Sequence, residues 1–334
     1  MPISSPYPVL TALLAAATLS LGATQAMAQT KWRAAGNFAV EHTSSEAMKL
    51  FKEEVEKATG GKFVVDLFPA MQLGGAQENV QGVRTGSIQM TWVGMAFLTR
   101  TVPELEALSL PFQFSDRDQA FRVTDGPIGA EIDRRIASKG VTLLGFMELG
   151  ARHVTNSKRP IRTMEDFKGL KIRLQPNETH LASFRALGAN AVAMDVKELY
   201  SAMQQGVVDG QENPFSIINA NRYFEVQKFV TNTGHFFDFI VVIANRKAFE
   251  ALSPATQKAV REAMNATVRY QRERAKIQDA DAVDEIKRRG MTYDEVSPKL
   301  VADMRAATAG IVEEVKKRAG ADLVARVLAE AAKP

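Results

Sequence analysis

From Ser253 to Gly290 the chain offers one long stretch without a helix breaker. Ser253 is a good N-cap residue and Pro254 suits the first helical position. No Gly or Pro then occurs until Gly290, which suits a C-terminal stop. The residues between, "ATQKAVREAMNATVRYQRERAKIQDADAVDEIKRR", are dominated by helix formers. A helix of that length reaches roughly 50 Å, more than the width of one small lobe. It is expected to run along two lobes and tie them together. The alternative is two helices with an unmarked break near Gln278-Asp279. The absence of a breaker favours the single helix.

A chain of 334 residues is long for one compact core and comfortable for two lobes. Its 46% hydrophobic and 24% charged residues are ordinary for a globular protein. The net charge of +4 is mild, and basic residues are interleaved with acids. No basic run with aromatics suggests a nucleic-acid groove. Residues 1–28 stand apart. An uncharged apolar run, "VLTALLAAATLSLGA", is followed by Ala26-Met27-Ala28, the small-x-small pattern of a cleaved secretory signal peptide. The run is shorter than the ~20 residues of a spanning helix. The positive n-region is missing, since no Lys or Arg precedes Lys31. The chain contains no cysteine, which excludes disulfides, thiol catalysis and an N-terminal Cys lipid anchor. A periplasmic protein without membrane insertion is expected.

After Lys31, helical and strand patterns alternate. "SSEAMKLFKEEVEKA", 44–58, sets Met48, Phe51 and Val55 at helical spacing before Gly60-Gly61, with Thr43 or Ser44 as the expected N-cap. "KFVVDLF" (62–68), "IQMTWVGM" (88–95) and "VTLLGFM" (141–147) read as strands. Thr163 and Asp166 match a capping box ahead of a short helix. "KGLKIRLQP", 168–176, alternates Leu170, Ile172 and Leu174 with Lys171, Arg173 and Gln175, the period of a half-buried strand. Such alternation argues for an α/β class with mostly parallel sheets. "TGSIQM" (85–90) and "QGVVDG" (205–210) rhyme, each leaving a helix through Gly into a short apolar segment. The rhyme hints at two similar lobes.

No Gly-x-Ser-x-Gly elbow, Walker A loop, Gly-x-Gly-x-x-Gly fingerprint or close histidine pair is present. No cofactor or metal is expected. Polar residues at strand ends remain, where open α/β sheets bind ligands. Arg152 follows the strand 141–147 and a short turn. Arg173 lies on or at the end of the next strand, and Asn213 follows "VVDGQE". Two guanidiniums and an amide can receive a carboxylate, whose oxygens match the arginine fork. Blander readings stay open. Arg173 could pair with Glu198 or Glu212, Asn213-Pro214 could begin a turn, and Trp92 could be core. An exported enzyme would use Arg173 as anchor and His153 or Glu212 as acid–base. An orphan ligand sensor is a third possibility.

"LFPAMQLGGAQE" (67–78), "LSLPFQF" (108–114), "RPIRTMEDFKGLKIRLQP" (159–176), "LYSAMQQGVVDGQENP" (199–214) and "YFEVQKF" (223–229) occur in order along the chain. With these motifs the chain resembles the periplasmic solute-binding subunits of TRAP transporters, the DctP-like family. The resemblance implies a two-lobed periplasmic-binding-protein fold, type II-like, with a long helix spanning both lobes. It implies residues 29–150 and about 239–275 in one lobe, and 151–238 and about 276–334 in the other. It further implies a small organic acid bound between the lobes, delivery to the membrane permease subunits of a TRAP transporter, and a monomer without enzymatic activity. By the same resemblance Arg173 is the principal carboxylate-binding arginine, Arg152 a supporting one, and Asn213 a hydrogen-bonding partner. Asn37 and Gln72 fall near the cleft on the first lobe, with Trp92 beside it. Gln175 is the flanking residue expected to meet ligand. Gly94 stands where sialic-acid-binding members carry an acid, which favours a smaller or less polar carboxylate.

Overall fold

The computed structural model describes Met1 and residues 29–333. The signal-peptide reading of residues 1–28 lies outside them, apart from Met1. Nine strands form one sheet: β1 (Thr30–Gly36), β2 (Phe63–Phe68), β3 (Met90–Gly94), β4 (Val141–Asn156), β5 (Lys171–Leu174), β6 (Asn190–Ala193), β7 (Gly210–Asn213), β8 (Phe229–Asn245) and β9 (Thr292–Glu295). Among the described residues twelve α-helices surround it: α1 (Thr43–Ala58), α2 (Ala76–Thr85), α3 (Arg117–Asp125), α4 (Pro127–Ala137), α5 (Glu178–Ala186), α6 (Val196–Gln204), α7 (Phe215–Ala220), α8 (Arg246–Glu250), α9 (Pro254–Arg288), α10 (Pro298–Thr308), α11 (Ile311–Ala319) and α12 (Ala321–Ala331). No helix among the described residues is long and apolar enough to cross a membrane.

The strand order is β2-β1-β3-β8-β4-β7-β5-β6, with β9 also on β8. The expected parallel pairing holds for the outer strands, where β1 pairs β2 and β3, and β5 pairs β6 and β7. It fails at the centre. β4 and β8 are 16 and 17 residues long and run antiparallel along each other. Two strands of that length, over 50 Å at ~3.4 Å per residue, pass through both halves of the molecule. One end of β8 pairs β3 and the other pairs β9. The strand expected at 141–147 therefore does not stop there. No turn follows it, and Arg152 lies within β4. Register shifts at Leu143/Gly145, Glu148/Gly150 and Arg152/Val154 bend the strand instead of ending it.

α9 is one unbroken helix of 35 residues. Ser253 Oγ accepts from Thr256 N, as its N-cap identity requires. Gln278 and Asp279, where a break was conceivable, are staples. Gln278 Oε1 accepts from Thr43 N (3.0 Å) at the start of α1. Asp279 Oδ1 accepts from Ser216 N (2.9 Å) at the start of α7. Adjacent residues of one helix thus satisfy orphan amides of helices on opposite halves. About two turns earlier, Gln271 brackets the β4 bend. It accepts from Glu148 N (2.9 Å) and donates to Glu148 O (2.8 Å).

α1 is capped by His42 instead of Thr43 or Ser44, with Nδ1 accepting from Ser44 N (3.2 Å). Burial holds that imidazole near pKa about 3, so the acceptor nitrogen is neutral and available. Thr163 and Asp166 do form a capping box, but over a single 3-10 turn, Met164–Phe167. The two rhyming segments have one build. α2 ends at Gly86 (φ 87) before β3, and α6 ends at Gly206 (φ 70) before β7. Only glycine adopts such φ values without strain.

Trp32, Phe51, Trp92 and Met264 belong to one apolar cluster between sheet and α9. A second cluster holds Val80, Ile132 and Val241 together with Ile311, Val315, Val324 and Val327. A third, with Ile172, Leu174, Phe184, Leu300 and Met304, fills the β5–β6 end. α10 thus packs with the second lobe. The apolar stripes of α11 and α12 join the second cluster, and α11 also meets α5.

Candidate functional site

Ile172 and Leu174 point into the second-lobe core, so alternation turns Arg173 to the opposite face of β5. β5 lies between β6 and β7, with Arg173 opposite Val192 and Gln211, so the guanidinium is covered on both sides. Arg173 is 1% exposed. Its Nε donates to Met194 O (2.9 Å), and Nη2 has no hydrogen-bond partner among the described residues. Burial lowers its pKa to about 10, still fully charged at neutral pH. Lys171, on the same face, is exposed, whereas Gln175 is buried beside Arg173.

A cavity lies in front of Arg173. On one side stand Asn37, Phe38, Gly94, Phe97 and Leu149, and on the other Arg173, Gln175, Val196, Asn213, Ile217 and Asn221. The first set comes from the β1–β3 half and the second from the β5–β7 half. A groove at Phe112 and Arg305 and another at Arg222 and Arg289 are wider, but neither contains a buried charge without a partner. Arg173 marks this cavity as the candidate binding site.

Local structure explains each wall. The Pro69–Leu73 turn holds the loop after β1, with Ala70 N donating to Phe38 O (3.0 Å) and Met71 N to Gly36 O (2.9 Å). Ala70 and Met71 take φ of 51° and 60°, a conformation costly outside glycine and sustained here by those bonds. Gln72 sits in this turn and is exposed, away from the cavity. The "AMQLG" motif shapes the loop that presents Asn37 and Phe38. Oriented to suit its neighbours, the Asn37 amide donates to Trp92 O (3.3 Å) and accepts from Asn79 Nδ2 (3.1 Å) and Ala76 N (3.2 Å). Trp92 is fully buried core, edge-on to Phe51, and does not line the cavity. Gly94, ending β3, matters through its missing side chain. A Cβ there would come within 2.8 Å of Gln175 Oε1, so glycine lets the two halves approach.

Arg152 does not line the cavity. It is fully buried behind the cavity, where Nη2 donates to Glu212 Oε1 (2.8 Å) and Nε to Glu212 Oε2 (2.5 Å), a bidentate pair. Nη1 reaches Asp238 (3.4 Å), and Nη2 also reaches Asn213 Oδ1 (3.1 Å). β4 and β7 pair Val154 with Glu212, which sets Arg152 diagonally across from that acid on the same face. Burial alone would raise the Glu212 carboxyl. The Arg152 charge and the bonds from His235 and Arg152 outweigh it and hold the group well below the usual carboxylate range. Burial dominates at Asp238 and raises its pKa despite Arg152. His235 is neutral because burial outweighs the neighbouring acid. Its Nε2 then donates to Glu212 (3.3 Å), and Nδ1 accepts from Thr233 Oγ1 (2.7 Å). Arg152 orients Asn213 through the latter's Oδ1, and Asn213 lines the cavity.

Sequence reasoning missed Asp238, although a lone acid in "HFFDFI" is a visible signal, since a buried carboxylate needs partners. Gln175 Nε2 donates to it (2.7 Å). It also missed Asp195, which joins the two halves. Its carboxylate accepts from Lys197 N (3.1 Å) at the start of α6 and from Ala76 N (3.2 Å) and Gln77 N (3.0 Å) at the start of α2. The apolar wall residues Phe38, Phe97, Leu149, Val196 and Ile217 carry no sequence signal that separates them from core.

Residues 34–318 match the family described as bacterial extracellular solute-binding protein, family 7 (DctP). A solute-binding protein of Verminephrobacter eiseniae is 36% identical over 295 residues, 88% of each chain. The 2,3-diketo-L-gulonate-binding periplasmic protein YiaO of Escherichia coli is 34% identical over 245 residues, 73% of this chain and 75% of that one. The fold matches the sugar acid binding protein DctPAm of Advenella mimigardefordensis, solved with galactonate, at a TM-score of 0.89 and 31% identity, covering 91% of this chain and 98% of the other. The described fold is thus the two-lobed periplasmic-binding fold, and the chain belongs to the DctP family, family 7 of bacterial extracellular solute-binding proteins.

Proposed function

We propose that this protein captures a small organic acid between its lobes in the periplasm and delivers it to the membrane permease of a TRAP transporter. The observation that carries the reading is the buried Arg173 guanidinium, with Nη2 facing no partner at the interlobe cavity. A carboxylate completes it. Charge-assisted bonds of this kind contribute roughly 1.5–3 kcal/mol net. Asn213 and Gln175 flank the anchor, and Arg152 acts from behind by fixing Asn213 and neutralising Glu212. Closing lobes exclude water and give the ligand contacts on both sides, so the ligand favours the closed state. The lobes meet at the β4 bend near Gly150, at Asp238 on β8, and near the staples of α9, and these are the proposed hinge points. The carboxylates named for the Advenella and E. coli relatives agree with this chemistry.

Solute capture is supported over catalysis by the state of the candidate acid–base groups. Glu212 is bound up with Arg152, and His153 stacks on Phe215 at 3.9 Å with its pKa driven down by burial. The test is calorimetry on Arg173→Ala. Affinity for the acid retained by the wild-type protein is expected to fall at least tenfold, with the fold intact by circular dichroism. Unchanged affinity overturns the reading.

A further inference from the structure

Building on the carboxylate reading, we infer that the cleft selects a 2-hydroxy monocarboxylic acid with an aliphatic chain, over dicarboxylates and sugar acids. Charge matching comes first. Arg173 is the one cationic side chain among the residues that line the cavity. Arg152 has its charge met by Glu212 and touches Asp238 as well. One ligand carboxylate therefore balances the site. A second would be desolvated without a cation, close to Asp238, which stands directly behind Gln175.

The walls divide by polarity. Asn213, Gln175 and Asn221 are all on the second lobe, beside Arg173. The first lobe contributes Phe38, Phe97, Leu149 and the bare Gly94, and its one polar liner, Asn37, has its oxygen engaged by Asn79 and Ala76 N and one of its two amide hydrogens by Trp92 O. A polyol chain leaving the carboxylate would lose water along its length and meet a single side-chain donor on that lobe. Each unsatisfied hydroxyl weakens binding. An aliphatic chain against Phe38, Phe97 and Leu149 gains from the same walls.

The group next to the carboxylate is an exception. Gln175, one residue past the end of β5, is two residues from Arg173 and lines the same cavity. Its Nε2 is committed to Asp238, and its Oε1 accepts no hydrogen bond among the described residues. A hydroxyl on carbon 2 is the donor it lacks.

The test is isothermal calorimetry on the full mature chain with 2-hydroxy-3-methylbutyrate, 3-methylbutyrate, succinate and galactonate as probes. The hydroxy acid is expected to bind at least tenfold more tightly than succinate and galactonate, and severalfold more tightly than 3-methylbutyrate. Tighter binding of succinate or galactonate overturns this inference and leaves the carboxylate reading standing. Equal binding of the two methylbutyrates overturns the role of Gln175. Absence of binding by all four overturns both readings. In Leu149→Asn the preference over galactonate is expected to narrow severalfold. An unchanged ratio in folded variant overturns the apolar-wall argument.

Discussion

The surroundings of Arg152 and Arg173 differ although both guanidiniums are fully buried on strands of one sheet. Around Arg152 stand two carboxylates, a backbone carbonyl and an amide oxygen, and despite burial its pKa is raised by Glu212. Around Arg173 stands one carbonyl, and burial lowers its pKa to about 10. The lesson is a division of labour. A completed arginine is a structural rivet between β4, β7 and β8. An incomplete one costs stability in the empty protein, and in the proposed function a ligand completes it.

The sharpest way to break this comparison is to exchange the outcomes. Arg152→Met leaves Glu212 buried without its partner, and removal of one member of such a pair costs about 3–5 kcal/mol. Urea denaturation of the ligand-free protein should show that loss, and Arg152→Met with Glu212→Leu should recover much of it. Arg173→Ala should do the reverse. Its ligand-free stability stays level or rises, while affinity falls by about 1.5–3 kcal/mol, ten- to hundredfold. Arg173→Lys is expected to fall between, because an ammonium cannot reproduce the planar fork. Equal destabilisation by Arg152→Met and Arg173→Ala would erase the distinction.

The histidines around these arginines sharpen it through pH. Burial lowers His42 and His180 to about 3 and moves His153 and His235 down as well. Between pH 3 and 6.5 the unfolded chain therefore binds more protons than the native one. Stability rises with pH through that window and falls as pH drops below about 6.5, by up to ~1.4 kcal/mol per pH unit for each histidine. Glu212 adds to the loss only further down. Its depressed pKa contributes stability present above the ordinary glutamate value and lost as pH falls through the folded one. Urea midpoints at pH 7.5, 6.5 and 5.5 measure this. A flat profile between 7.5 and 5.5 would mean that these imidazoles take up protons as readily in the native state as in the unfolded chain.

Much of this was legible in the sequence, for reasons that differ by element. α9 could be read because a helix needs only an N-cap, an unbroken run and a stop, all local. The Arg173 face of β5 could be read because alternation is local too. The role of Arg152 could not, since it depends on a cross-strand neighbour 60 residues away and on β4 running straight through an expected turn. Trp92 and Gln72 do not line the cavity, for complementary reasons. An aromatic in a strand is the same letter in core and in cleft, and a polar residue in a motif can serve the backbone's shape. The packing of α11 and α12 into the cluster of Val80 and Ile132 is tertiary, and their apolar stripes fit either core.

The smallest expected effect separates folding from closure most cleanly. α2 begins at Gly75, which has no side chain to cap it, and only Glu78 reaches back to the Gly75 amide (2.7 Å). The carboxylate that Ala76 N and Gln77 N donate to is that of Asp195, 119 residues after Ala76 on the other lobe. Asp195 also caps its own helix, α6, whatever the lobes do. Asp195→Asn keeps a good cap for α6 but removes the negative charge from the start of α2. That charge is worth about 0.3–1 kcal/mol at a helix N-terminus, and it acts there only when the lobes are together. Ligand affinity should therefore fall roughly two- to fivefold, while the urea midpoint of the ligand-free open protein hardly moves. Calorimetry and denaturation on the same preparation read the two quantities. Loss of stability with affinity intact would make Asp195 a local helix cap and nothing more.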